Sequence, residues 1–252
     1  MEIRTGFVNV PVSDGTSMRL YVARPSGAAP QRGLLVMQEA FGINAHIRDV
    51  TERFAREGYL AVAPELFHRT GAGFEGQYTD FGSAMGHMKE LRDPQMEADF
   101  KAAYDWLRGA SGVGASAPIA AIGYCMGGRA AVLAAATLPL AAAVSYYGGG
   151  VAPNPMNPGL LGRVKDLRAP VLLFWGGRDQ HVTTEHSRAT ADALTAAGKS
   201  FVNVTFSDAD HGFFCDARAS YNPVAAAQAW PLTLAFLGSY TSAKEQGAAA
   251  RS

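Results

Sequence analysis

Ala121-Ile-Gly-Tyr-Cys125-Met-Gly-Gly128 is the stretch on which the reading of this chain turns. The apolar residues 118–122 before it read as a buried strand, and the small residues 129–137 after it as a helix. Gly123 and Gly127 suit a strand-to-helix turn so sharp that the positions two before and two after its tip must be small. The pattern is Gly-x-Cys-x-Gly, a nucleophile elbow with cysteine where serine is usual. At such a tip the Cys125 sulfur stands at a helix N-terminus, where the dipole and free N–H groups favour a thiolate. The plainer alternative is a buried structural cysteine, the commonest fate of a free thiol. The rest of the chain has to decide between them.

The frame is that of a globular protein. The 252 residues are 48% hydrophobic, enough to cover a large sheet. The 22 basic and 22 acidic residues cancel and form no runs, so neither nucleic acid nor an anionic membrane surface is an expected partner. Cys125 and Cys215 are too few for a disulfide framework, and no Cys-x-x-Cys suggests zinc. No basic, then apolar, N-terminal stretch signals export, so a cytoplasmic location is expected. The chemistry below needs a small-molecule partner; monomer and homodimer are both left open.

Along the chain, two alternating stretches, 6–12 and 17–23, flank Ser13-Asp-Gly15 and predict a β-hairpin. Strands are then expected at 33–38, 59–63, 118–123, 141–146, 171–175 and 201–206. Helices are expected at 44–57, 93–108, 129–137, 184–197 and 223–237. This alternation predicts an α/β fold with a mostly parallel central sheet, helices on both faces and the hairpin at its N-terminal end. No linker divides the chain, so 1–241 is read as one domain and 242–252 as a flexible tail. Residues 67–88, rich in glycine and aromatics, are expected to be irregular and able to cover a site.

In such sheets, functional groups collect at the carboxyl ends of the strands. Those positions hold Glu39, Cys125, Asp179 and His211. Cys125 is the candidate nucleophile, His211 the proton acceptor, and Asp179 the group that fixes the imidazole tautomer. Nucleophile, acid, histidine is also the chain order of α/β-hydrolases. His181 and His186 are weaker rivals as base: His186 falls inside an expected helix, and His181 is only two residues past Asp179. Asp208 and Asp210 adjoin His211 and are expected to shape its turn, while His46, His68 and His87 read as surface or lid residues. No His-Glu-x-x-His is present, so no catalytic metal and no other cofactor is expected. The reading from another class is a ligand-binding or thiol redox-sensing protein, in which Cys125 is simply oxidisable.

Gln38-Glu-Ala-Phe-Gly42, Gly123-Tyr-Cys-Met-Gly-Gly128, Gly176-Gly-Arg-Asp179 and Ala209-Asp-His-Gly-Phe-Phe214 together resemble the dienelactone hydrolase (carboxymethylenebutenolidase) family of the α/β-hydrolase superfamily. The likeness extends to Leu66-Phe-His-Arg-Thr70 and to the ending around Tyr221 and Trp230. It implies a cysteine-dependent hydrolase of a small ester, lactone or thioester, working through a thioacyl-enzyme. Carried over by motif, it implies Glu39 as an additional carboxylate near the thiol and the N–H groups of Ala40 and Met126 as an oxyanion hole. Family members bind a substrate carboxylate through arginines, one of them close after the catalytic histidine. Here Phe213, Phe214 and Cys215 follow instead, which leaves Arg218 and Arg69 as candidate anion contacts and Phe213 and Phe214 as candidate pocket walls.

Overall fold

The structure is a computed structural model that describes residues 1–27, 30–109, 113–155 and 157–242. Eight strands lie in one sheet: β1 (Ile3–Pro11), β2 (Ser17–Pro25), β3 (Gly33–Met37), β4 (Leu60–Pro64), β5 (Ile119–Tyr124), β6 (Ala143–Tyr146), β7 (Val171–Gly176) and β8 (Phe201–Phe206). Their order is β1-β2-β4-β3-β5-β6-β7-β8. β1 and β2 form the antiparallel hairpin, β2 joins β4 antiparallel, and every other pairing is parallel. The helices are α1 (Ala45–Arg56), α2 (His68–Gly71), α3 (Phe81–Glu90), α4 (Asp93–Gly109), α5 (Met126–Thr137), α6 (Thr184–Ala196) and α7 (Pro223–Thr241), with a short 3-10 helix at Leu161–Asp166.

The two faces of the sheet carry separate cores because side chains alternate along each strand. Leu35, Met37, Ile119, Ala121, Leu173 and Trp175 pack with residues of α4, α5 and α6. Leu34, Val36, Ile122, Tyr124, Tyr146 and Phe174 pack with residues of α1 and α7. Strands β3 to β7 are buried throughout, as parallel strands covered on both faces must be. Among the described residues, no helix is long and apolar enough to cross a membrane.

Two expectations need correction. Residues 67–88 are not irregular: α2 and α3 occupy much of that stretch. Asp80 starts α3 by accepting the Ser83 N–H, a cap not recognised among the glycines. The elbow helix begins at Met126 rather than at 129, because Gly127 and Gly128 form its first turn and let it approach the sheet. Of the tail, only Ser242 is described, ending α7 with its N–H on the Gly238 carbonyl; 243–252 lie outside the described residues.

Candidate active site

Chain connectivity reverses at β3: the next strand, β4, pairs on one side and β5 on the other. The carboxyl ends at such a reversal leave a crevice. Glu39 follows β3, and Cys125 follows β5 at the same rim. Cys125 caps α5 with φ 56° and ψ −120°, a backbone conformation unfavourable for any residue with a Cβ. Its N–H is tied to the Tyr146 carbonyl at 3.0 Å, which pins the turn to β6. A Cβ on Gly123 would land on the Gly127 carbonyl, and one on Gly127 would land on the carbonyls of Met37 and Gln38. Only glycine at both positions lets the first turn of α5 rest against the end of β3. Met126, as first residue of that helix, keeps an N–H that no intrahelical carbonyl can take. Ala40 is buried in the turn that follows Glu39.

Asp179 and His211 arrive from the ends of β7 and β8. Asp179 Oδ1 accepts the N–H groups of His181 (2.7 Å) and Val182 (2.8 Å), leaving Oδ2 for His211 Nδ1 at 2.7 Å. Burial works against the Asp179 carboxylate, but the hydrogen bond and charge of His211 outweigh it and hold its pKa below the usual range. Burial likewise works against a charged His211. The Cys125 sulfur, by charge and by hydrogen bond, together with Asp179, reverses this and raises the imidazole to about 10. Thiol, imidazole and carboxylate thus form a connected chain. Nδ1 faces the carboxylate, so Nε2 is the nitrogen free to face the sulfur.

The rival groups have other work. His186 Nδ1 accepts the Thr183 N–H in a box that caps α6. His181 stands edge-on to His211, ring centroids 5.5 Å apart. Asp210 accepts the His211 N–H at 2.6 Å, and Asp208 accepts from Asn222 at 3.3 Å.

Glu39 is fully buried. Tyr78 Oη donates to its Oε2 at 2.9 Å, and Arg218 Nη1 lies 3.4 Å from its Oε1. Burial opposes the Arg218 charge, but Glu39 and then Cys125 more than restore it, so this guanidinium belongs to the nucleophile's surroundings. It reaches back over Gly212, where any Cβ would meet it, and lies 5.6 Å from the Phe41 ring and 5.2 Å from that of Tyr78.

Arg69 is elsewhere engaged. It holds Asp99 through two hydrogen bonds of 2.8 Å and Asp14 through a third. Phe213 and Phe214 are core residues, 0% and 3% exposed, packed among Tyr146, Tyr147 and Trp230. The turn at Gly212, with φ 79°, precedes their entry into the core beside Tyr124 and Tyr146. His46 is buried rather than superficial, and the His68 side chain is 1% exposed, against Asp99 at 3.1 Å. His87 is half-buried against Phe67 and Phe74.

Tyr78 and Asn44 were not foreseen. Asn44 caps α1 through its oxygen and gives its amide to Tyr78 Oη at 3.0 Å. Burial, then the Glu39 charge, pushes the Tyr78 phenol far up, so it stays a donor. The sequence hint was an Asx cap one turn past the Glu39 motif; nothing local marked Tyr78.

Residues 18–241 match the model of the dienelactone hydrolase family. A Synechocystis protein provisionally described as a carboxymethylenebutenolidase is 35% identical over 237 residues, which cover 91% of this chain and 94% of that one. One from Escherichia coli K12, described in the same way, is 36% identical over 248 residues, covering 94% and 88%. A crystal structure from Klebsiella pneumoniae, provisionally described as a dienelactone hydrolase, superposes with a TM-score of 0.85. It is 34% identical and covers 95% of this chain and all of its own. The chain belongs to the dienelactone hydrolase family, a group of carboxylic ester and lactone hydrolases built on the α/β-hydrolase fold.

Proposed function

We propose that the protein hydrolyses a small carboxylic ester, lactone or thioester through a thioacyl-enzyme on Cys125. The observation that carries this is the connected Cys125–His211–Asp179 chain at the elbow, with Asp179 Oδ2 2.7 Å from His211 Nδ1. A redox sensor needs only a thiolate; an imidazole oriented by a doubly anchored carboxylate has a role in proton transfer.

His211, raised to about 10 beside the sulfur, already holds the proton on Nε2, and the Cys125 sulfur attacks the carbonyl carbon as the anion. The resulting oxyanion is met by the N–H groups of Met126 and Ala40, each such donor typically contributing roughly 3–4 kcal/mol. Collapse breaks the ester C–O bond, and the imidazolium gives its proton to the departing alkoxide. A water molecule then passes a proton to His211 and attacks the thioester, and the carboxylic acid leaves as the Cys125 sulfur is expelled. Glu39 is held by Tyr78 and Arg218 beside this machinery. A substrate carboxylate would compete with Glu39 for Arg218, so esters bearing a second carboxylate are the favoured class.

Turnover of p-nitrophenyl acetate by Cys125→Ala tests the reading. Activity is expected to fall to background; undiminished activity overturns it.

A further inference from the structure

Beside Glu39 lies a buried cluster whose histidine and second cysteine the proposed chemistry does not use. One oxygen of Glu39, one ring nitrogen of His46 and the sulfur of Cys215 all fall within 4.8 Å of one another, and all three residues are buried. Cys215 is a free cysteine. His46 is 6% exposed, yet neither ring nitrogen has a hydrogen-bond partner. The hydroxyls of Tyr124 and Tyr147 are also buried without partners, and Tyr124 stands edge-on to His46. An unmet buried polar group typically costs about 1–3 kcal/mol, so unmet groups beside this cluster mark a place built to receive something.

The donors say what. A carboxylate oxygen, an imidazole nitrogen and a sulfur make a ligand set for a borderline-soft divalent ion. We propose that Glu39, His46 and Cys215 form a binding site for a thiophilic divalent cation of the zinc class.

Chemistry and access agree. Burial holds His46 neutral, so a ring lone pair is available. Burial, then the Glu39 charge, raises the Cys215 thiol to about 11, so without a cation it keeps its proton. On binding, the S–H bond breaks, the proton leaves to solvent and the sulfur–metal bond forms; with the Glu39 carboxylate the thiolate balances the ion's two charges. Tetrahedral bonds of about 2.0–2.3 Å space ligands roughly 3.3–3.7 Å apart, so side-chain movement of about an ångström closes the site. A cavity of about 360 Å³, lined by Asn44, His46, Tyr78 and Ala217 among others, reaches the His46 side of the cluster from solvent.

The test uses Co²⁺ as an optical probe on the Cys125→Ala protein, which removes the catalytic thiol as a rival ligand. One Co²⁺ per chain with a thiolate-to-cobalt charge-transfer band is expected, displaced by Zn²⁺. Adding Cys215→Ala should abolish the band. Adding His46→Gln should weaken affinity beyond the roughly 10–100-fold typical of outer-sphere changes. Thermal melts of the metal-free variants establish that they are folded. No Co²⁺ binding, or a band that survives loss of Cys215, overturns the site.

Discussion

The two oxygens of the Asp179 carboxylate do different jobs. Oδ1 is anchored by two backbone N–H groups and Oδ2 holds the His211 Nδ1 proton. In Asp179→Asn the amide oxygen will stay with the two N–H donors, turning the NH₂ toward His211. Nδ1 must then accept, and Nε2 carries a proton toward the sulfur it should deprotonate. Turnover is expected to fall by about 10⁴-fold, as wrong-tautomer variants do, with the fold intact by circular dichroism; a loss below tenfold would contradict this role. His211 itself carries a second prediction. Its folded-state pKa of about 10 exceeds the ordinary 6.5, chiefly through the Cys125 sulfur overcoming burial. The native state therefore holds this proton more tightly than the unfolded chain. That stabilisation is complete below about pH 6.5, declines as pH rises and is gone above about 10. In Cys125→Ala the imidazole pKa, followed by ¹⁵N NMR, should drop well toward 6.5; an unchanged value would break the link between sulfur and ring.

At the scale of elements, the elbow is a packing solution before it is a chemical one. Gly127→Ala forces a Cβ onto the carbonyls of Met37 and Gln38. Backbone cannot yield there cheaply, so a loss of at least about 1–3 kcal/mol is expected in urea unfolding, the range of overpacked cores. A neutral result would mean that α5 does not sit on β3 so closely. The two arginines separate in the same way. Arg218→Ala should raise KM for carboxylate-bearing esters by about 10–100-fold, the worth of a charged hydrogen bond, and leave neutral esters little changed. Arg69→Ala should instead destabilise the fold, by about 3–5 kcal/mol, because Asp99 is left buried with only His68. Its KM ratio between the two ester classes should not move. This division was invisible in the chain, since the partner of Arg69 lies 30 residues away and that of Arg218 lies 179. By contrast, elements with a clear period or a glycine stop were legible: the hairpin, α1, α4, α6 and the parallel strands all stand where alternation placed them, within a few residues.

Over the whole molecule, the reversal of connectivity at β3 gathers Glu39, Cys125, Asp179 and His211 at one end of the sheet. Strand-end position in the sequence is what made those four legible, because a parallel sheet brings all its carboxyl ends to one rim. What lies behind that rim could not be read so. Tyr78 reaches Glu39 from 39 residues away because Gly42, at φ 75°, lets the backbone near Phe74–Gly76 pack on the Glu39 turn. His46 and Cys215 meet Glu39 from a helix start and a loop whose residues, taken singly, look unremarkable in the chain. The burial of Phe213 and Phe214 could not be read either, because an aromatic pair after a histidine carries no local sign of which way its turn faces.

Rapid acid quench during turnover of p-nitrophenyl acetate, followed by peptide mass spectrometry, looks for the covalent intermediate itself. An acetyl group on the peptide bearing Cys125, discharging as turnover ends and absent in Cys125→Ala, is the expected result. Turnover in which that peptide is never acylated, with Cys125→Ala hydrolysing at the wild-type rate, would contradict nucleophilic attack by this sulfur.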